Sequence, residues 1–333
     1  MQGQVYKIHS DFYYVRNSEH NEFVCKLKNN LKKQKEVVRV GDFVKLSNDN
    51  DFIDEIEPRI NFLDRPKVAN IDLALIISAL KEPELDFLQL DRYITYLKYN
   101  NIKSALCFNK EDLEDDIISI KKKILKIYSD LDCEIFFISA KENLGIDKIK
   151  KYIKGKTVTL CGLSGVGKST LLNSLNKEIN LKTGSVSKKT MRGTHTTRHV
   201  EIIDCDGFKV VDTPGFSNLK FVFLLPNELI NLFPDIKKFE GNCKYPNCLH
   251  NVNKEGICSI YDNLDKIPAS RYKSYLTFLE ECHSYKEEIS KKSIKNEGFK
   301  KQTGSITITK ISKRKRELSR NNFKQKIKDF EEC

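Results

Sequence analysis

The sequence predicts a multidomain chain: a small N-terminal β barrel, a doubly wound α/β domain, and a C-terminal helical domain with a metal-binding cluster. Three observations predict it. Short period-two segments fill the first sixty or so residues, apolar strands alternate with amphipathic helices in the middle, and a cysteine-rich helical pattern follows Pro226. The expected domains are residues 1–62, 63–224 and 225–333.

In the first domain, Gly3–Ile8, Phe12–Val15, Glu22–Leu27 and Asp42–Leu46 alternate apolar and polar residues, with Asn, Asp, Gly and Lys between them. That pattern predicts an OB-like barrel. Such a barrel either binds oligonucleotides or only packs on its neighbour. Pro58 and Pro66 bracket the linker that follows. Strands are then expected at Leu73–Ser78, Ala105–Phe108, Glu134–Ile138 and Thr157–Cys161, and helices at Leu88–Tyr99, Ile117–Tyr128 and from Ser169 to Leu175. Val200–Ile203 and Phe208–Val211 read as a hairpin turning at Asp206-Gly207. Arg271–Lys286 reads as an amphipathic helix.

The α/β domain carries its chemistry at strand ends, where doubly wound sheets bind ligands. Gly162-Leu163-Ser164-Gly165-Val166-Gly167-Lys168-Ser169 is a P-loop, GxxxxGKS, followed by Thr170 in the expected helix. Its glycines let backbone N–H groups reach phosphate oxygens at a helix N-terminus. Lys168 is expected on the β and γ phosphates, and the Ser169 hydroxyl on Mg²⁺. Asp212-Thr213-Pro214-Gly215 reads DxxG: Asp212 as a magnesium carboxylate, the Gly215 N–H toward the γ-phosphate.

Asn109-Lys110-Glu111-Asp112 reads NKxD, which selects guanine. Asp112 can accept from the N1 and N2 donors that adenine lacks, Asn109 can contact the N7/O6 edge, and the Lys110 stem can cover the ring. Adenine would leave the carboxylate unpaired, a cost of several kcal/mol or roughly 10³-fold. Ser139-Ala140-Lys141 supplies a companion base loop.

The base motif lies upstream of the P-loop, the reverse of the order in Ras-like GTPases, so the domain reads as a circularly permuted P-loop GTPase using GTP with Mg²⁺. Between P-loop and DxxG, Lys188–Thr197 has the polarity and glycine hinge of a switch. Thr196 or Thr197 is a candidate for the magnesium shell. Phe216 stands where Ras-like enzymes place a water-orienting glutamine. His195 is the nearest replacement, either as water-orienting group or base, or in a structural role.

Cys243-x4-Cys248-x-His250-x7-Cys258 offers three thiolates and one imidazole, a closed set suited to one structural Zn²⁺. The other cysteines are scattered, and Cys107 and Cys161 sit in apolar strand-like runs, so the cluster is read as metal ligands in a reducing, cytoplasmic compartment. The N-terminus lacks the pattern of a signal peptide, and no run approaches the ~20 apolar residues of a membrane span, so no membrane partner is expected. The net charge is +12, of which Lys286–Lys328 carries +11. That basic tail suits a nucleic-acid backbone, or is simply solvated.

Together these residues resemble the RsgA family of circularly permuted GTPases. The resemblance covers nearly the whole chain, including Val40-Gly41-Asp42, Glu57-Pro58-Arg59 and Arg65-Pro66-Lys67-Val68-Ala69-Asn70-Ile71-Asp72. It implies an OB barrel, a permuted GTPase domain and a zinc-binding helical domain. It also implies slow GTP hydrolysis to GDP, stimulated by the small ribosomal subunit and its rRNA during late maturation of that subunit, by a protein expected to act as a monomer. The family points to the switch histidine, here His195, for hydrolysis. This chain has Thr194 where the family's switch carries arginine, and two more residues between His250 and Cys258 than the family spacing.

Overall fold

The computed structural model describes residues 1–34, 37–64, 67–176, 200–212, 219, 221, 224–241, 243–251, 255–296, 302–303 and 306–307. It divides into two compact units, Met1–Leu219 and Lys220–Cys333.

The first unit begins with strands β1 (Gln2–His9), β2 (Phe12–Arg16) and β3 (Glu22–Leu27), a short helix α1 (Asn29–Gln34), then β4 (Phe43–Leu46) and β5 (Phe52–Ile56). β1 pairs with β2 and β4, β2 with β3, β3 with β5 in parallel, and β5 with β4. The ring therefore closes in the order of an OB barrel. Alternation puts Val5, Val15, Cys25, Leu27, Val44 and Ile53 into one core, closed by Leu31 of α1 and Val38. α1 and β5 were not expected from the sequence. β5 follows an Asn/Asp-rich turn, and its outward Phe52 beside the buried Ile53 breaks the apolar–polar alternation that marks a strand.

Where the sequence suggested only a linker, β6 (Phe62–Asp64) and β7 (Lys67–Ala69) form a hairpin. Pro66 lies outside the described residues. The buried Asp42 carboxylate receives Arg59 through Nε at 2.6 Å and Nη2 at 2.8 Å, a two-point clamp between barrel and linker. Asn61 exchanges two hydrogen bonds with the Ile71 backbone, and the Asn70 amide donates to the Gly41 carbonyl.

The α/β part follows as β8 (Leu73–Ala79), α2 (Phe87–Tyr99), β9 (Ser104–Asn109), α3 (Ile117–Tyr128), β10 (Ile135–Phe137), α4 (Ile146–Ile153), β11 (Thr157–Cys161), α5 (Lys168–Leu175), β12 (Glu201–Cys205) and β13 (Phe208–Asp212). The sheet order is β10-β9-β8-β11-β13-β12, parallel except for β12. β8 is buried along nearly its whole length, as a central parallel strand covered on both faces must be. Asp86 caps α2 by accepting from the Gln89 N–H, and Asp116 caps α3 through Ser119.

Barrel and α/β sheet are continuous. β12, the antiparallel strand, pairs on its outer side with β1 at Lys7 and Glu201. Ion pairs Lys7–Glu201, at 3.2 Å, and Arg16–Asp204 flank this junction.

The second unit holds a 3-10 segment, Pro226–Leu232, a short helix α6 (Pro234–Lys237), a second 3-10 segment, Tyr261–Lys266, and α7 (Ala269–Asn296). α7 starts two residues before and ends ten residues after the helix expected from periodicity. Arg271, fully buried, forks onto the Asp235 carboxylate at 2.7 and 2.9 Å and lies over the Phe233 ring. No described helix is long and apolar enough to cross a membrane.

Candidate functional site

β9, β10, β11 and β13 run parallel, so Asn109, Ser139-Ala140-Lys141, the P-loop and Asp212 all fall at the carboxyl edge of one sheet. The P-loop connects β11 to α5, with Gly167 as the N-cap of α5 in a left-handed conformation. A Cβ on Gly162 would stand 2.2 Å from the Ile77 carbonyl oxygen, and one on Gly167 2.2 Å from Asn109 Nδ2. Both positions need glycine, the second because the base loop is packed against it.

Lys168 Nζ donates to the carbonyls of Gly162, at 2.9 Å, and Leu163, at 2.5 Å. The ammonium is thus curled over its own loop. Burial lowers its pKa from the usual lysine value, so it is a cation short of solvation that an anionic phosphate would satisfy. Ser164 and Gly165 are exposed at the loop tip, Val166 is buried beneath it, and Ser169 and Thr170 lie in the first turn of α5.

Asn109 is buried and joins three loops. Its Nδ2 donates to the Val166 carbonyl at 2.8 Å, and its Oδ1 accepts from the Ala140 N–H at 2.9 Å. The sequence suggested a direct contact of Asn109 with the N7/O6 edge of guanine. The fold also commits the oxygen and one N–H to bracing the site, and leaves the second N–H as a donor for that edge. Ser174 of α5 donates to the Ala140 carbonyl at 2.8 Å, so the P-loop helix holds the same loop. Ser139 is buried and receives the Glu142 N–H on its hydroxyl, whereas Lys141 is exposed.

Lys110 has a left-handed backbone and donates to the Glu82 carbonyl. Asp112 lies in the 3-10 turn after it and is exposed, with no side-chain hydrogen bond or ion pair among the described residues. Glu111 pairs with Lys121 of α3 and points away from that role.

Asp212 ends β13 opposite Glu201, and its side chain lies outside the described residues. So do His195, Thr196, Thr197 and Gly215.

In the second unit Cys243, Cys248, His250 and Cys258 present one ligand atom each, all within 4.8 Å of one another. His250 Nδ1 lies 3.8 Å from Cys243 Sγ and 3.6 Å from Cys258 Sγ. Tetrahedral zinc, with bonds of about 2.3 Å to sulfur and about 2.0 Å to nitrogen, puts neighbouring ligand atoms roughly 3.5–3.8 Å apart. The donor set therefore fits one metal ion. The sequence reading missed Glu240, whose carboxylate meets His250 Nε2 at 3.3 Å. That contact fixes the ring so that Nδ1 faces the thiols, the usual outer-shell device of a metal-ligating histidine. Tyr272 and Tyr275 of α7 donate to the carbonyls of His250 and Leu249, tying the cluster loop to the helix.

The barrel carries a further feature that the sequence reading passed over. On its outer face Lys26 of β3 stands across from Phe52 of β5, and its Nζ lies 5.3 Å from the centre of the Phe12 ring of β2. Phe12 and Phe52 are each more than two-fifths exposed. Tyr14 and Val24 form the next row, with Lys7 Nζ 5.9 Å from the Tyr14 ring. Aromatic residues interleaved with lysines on an open sheet face are the chemistry of base stacking and phosphate attraction. The signal lay in aromatics on the polar phase of each strand's alternation.

Comparison with known proteins agrees with this architecture. The RsgA N-terminal domain model matches residues 2–52, and the RsgA GTPase model matches residues 56–222. The chain is 40% identical over 288 residues to a protein of Clostridium botulinum (strain Eklund 17B / Type B) named small ribosomal subunit biogenesis GTPase RsgA, covering 84% of this chain and 97% of that one. It is 39% identical over 291 residues to the protein of the same name from Clostridium kluyveri, with 86% and 100% coverage. Among solved structures it is similar to YjeQ from Thermotoga maritima, with a TM-score of 0.72, 30% identity, and 84% of this chain and 98% of that chain covered. It is also similar to YloQ, described as a circularly permuted GTPase, with a TM-score of 0.69, 30% identity, and 85% and 95% coverage. With both family models matched in order, and relatives covered over nearly their whole length, this chain belongs to the RsgA GTPase family.

Proposed function

We propose that this chain binds the small ribosomal subunit, assists its late maturation, and hydrolyses GTP to GDP and phosphate with turnover that the subunit stimulates. The observation that carries the nucleotide half is the Asn109 brace, which holds the base loop, the Ser139–Lys141 loop and the P-loop as one preformed pocket. The ribosomal half draws on the names of the relatives and on the Phe12–Lys26–Phe52 row, a surface suited to RNA.

In this reading Asp112 takes the guanine N1 and N2 donors, Lys110 covers the ring, and Lys141 flanks it. Residues Gly162 to Thr170 enclose the phosphates, with Lys168 exchanging its two carbonyl partners for phosphate oxygens and the Gly215 N–H reaching the γ-phosphate. Ser169, Asp212 and one of Thr196 or Thr197 would hold Mg²⁺, which neutralises charge on the β and γ phosphates when bound. His195 orients the attacking water. Cys243, Cys248, His250 and Cys258 hold one structural Zn²⁺, with no open position for catalysis. The protein acts as a monomer in the cytoplasm.

Nucleotide state sets affinity for the subunit, and hydrolysis promotes release. The test is subunit binding in GTP and in GDP by the parent chain and Lys168→Ala. The reading expects the difference between nucleotides to vanish in the variant. A parent chain that binds equally in GTP and GDP would sink it.

A further inference from the structure

The register of the sheet sets residues of five strands in one straight row. Asp212 of β13 lies opposite Glu201 of β12, Glu201 opposite Lys7 of β1, Lys7 opposite Tyr14 of β2, and Tyr14 opposite Val24 of β3. The row begins at the DxxG aspartate and ends on the exposed aromatic–lysine face of the barrel. Lys7 stands in its middle. Its ammonium is 3.2 Å from the Glu201 carboxylate on one side and 5.9 Å from the centre of the Tyr14 ring on the other. Glu22, the other carboxylate that feels the charge of Lys7, is taken by Arg16 at 2.6 and 3.2 Å.

The join between barrel and α/β sheet is narrow. Among the described residues β12 pairs with β1 at a single register position. β1 carries a bulge there, with Tyr6 as the extra residue between Val5 and Lys7, and bulges bend a strand and re-aim its side chains. Beside the join a cavity of about 230 Å³ opens between Tyr6, Arg16, Ile202 and Asp204. The apolar cores on the two sides are separate: Val5 and Val15 belong to one, Phe208 and Val210 to the other. Partly exposed ion pairs flank the ladder contact, and such pairs exchange partners at little cost.

We infer that Glu201 governs how much of Lys7 is available to RNA, and that through this shared ammonium the nucleotide site and the barrel face influence each other. An RNA phosphate arriving over the Tyr14 row is an anion that competes with Glu201 for Lys7. Binding it weakens the Lys7–Glu201 pair, and with it the hold of β1 on the hairpin that carries Asp212. By linkage, a nucleotide that shifts this hairpin changes the affinity for RNA by the same factor. Arg16 does not serve in the same way, because Glu22 keeps it in place when Asp204 lets go. This inference rests on the proposed action on ribosomal RNA and names the residues that join it to nucleotide state.

The experiment measures the affinity of the full chain for a ten-residue oligouridylate at low salt, loaded with GDP or with a non-hydrolysable GTP analogue. The parent chain should bind less tightly with GDP. Glu201→Gln frees Lys7, and should tighten binding in the GDP state by about two- to fivefold, bringing the two affinities together. Asp204→Asn breaks the neighbouring pair without freeing a lysine of the row, and should leave both affinities as in the parent. Melting temperature should hardly move in either variant, since both acids are partly exposed. Unchanged or weaker binding in Glu201→Gln, tightening by equal factors in both nucleotides, or the same change in Asp204→Asn would overturn the inference. So would a parent chain whose oligouridylate affinity ignores the nucleotide. If small subunits still distinguish GTP from GDP in that case, only this coupling is wrong. If they do not, the ribosomal reading falls with it.

Discussion

Asn109 Nδ2 donates to the Val166 carbonyl at 2.8 Å, so the residue that opens the base motif is hydrogen-bonded to the centre of the P-loop, although 57 positions separate them. Its oxygen holds Ala140 at the same time. In this permuted chain that residue converts three separate loops into one pocket. Asn109→Ala leaves a carbonyl and an N–H without their partner, at about 1–3 kcal/mol each. The expected result is GTP affinity about 10- to 100-fold weaker by titration calorimetry. Gly167→Ala should do the same from the other side, because its Cβ would stand 2.2 Å from the Asn109 amide. Unaltered affinity in both variants would remove the brace from the account.

Base choice is expected to rest on Asp112. Its carboxylate accepts from two guanine donors. In Asp112→Asn one acceptor becomes an N–H donor and meets the guanine 2-amino group head on. Xanthine carries a carbonyl at that position. The variant should therefore lose GTP by roughly 100-fold or more and gain xanthosine triphosphate. A competition assay with both nucleotides reads the exchange directly.

These motifs were legible because each is local: a glycine-rich turn after an apolar strand, NKxD at the end of β9, four ligands within sixteen residues. The elements the sequence hid depend on partners far along the chain. β5 is a strand because β3 and β4 flank it, and the β6–β7 hairpin sits where prolines read as linker. Glu240 acquires its role only through the position of His250, and the bracing by Asn109 only through the return of β11 beside β8. Local pattern reports chemistry of a loop; which loops meet is decided by sheet order.

The outer row of the barrel gives a separable prediction. Phe12→Ala and Phe52→Ala should each weaken binding to small subunits or to single-stranded RNA by about 1–3 kcal/mol. Both side chains are more than two-fifths exposed and lie outside the barrel core, so melting temperature should move little. Lys26→Ala should lower affinity and flatten its dependence on salt, since a phosphate contact contributes nearly one counterion to the slope. Variants that bind as the parent does would return the barrel to a packing role.

For the cysteine cluster the expected content is one zinc per chain by elemental analysis. Removal of zinc with a chelator should expose three reactive thiols and cut the protease resistance of the C-terminal unit, because metal binding and local folding are coupled there. Cys258→Ser should behave like the stripped protein. Glu240→Gln should keep the metal but bind it about 10- to 100-fold less tightly, as expected when the partner of a ligating imidazole is weakened. A purified chain without zinc, and equally stable, would contradict the metal assignment.

The most direct test of the central claim is GTP hydrolysis by the purified chain with and without small ribosomal subunits, run beside Lys168→Ala and His195→Ala. The account predicts slow basal turnover, strong stimulation by small subunits, no turnover in Lys168→Ala, and lost stimulation in His195→Ala. Stimulation that survives in His195→Ala would remove that histidine from hydrolysis and leave the rest standing. A parent chain that small subunits do not stimulate would contradict the claim, and would make the bound nucleotide a structural part of an RNA-binding protein.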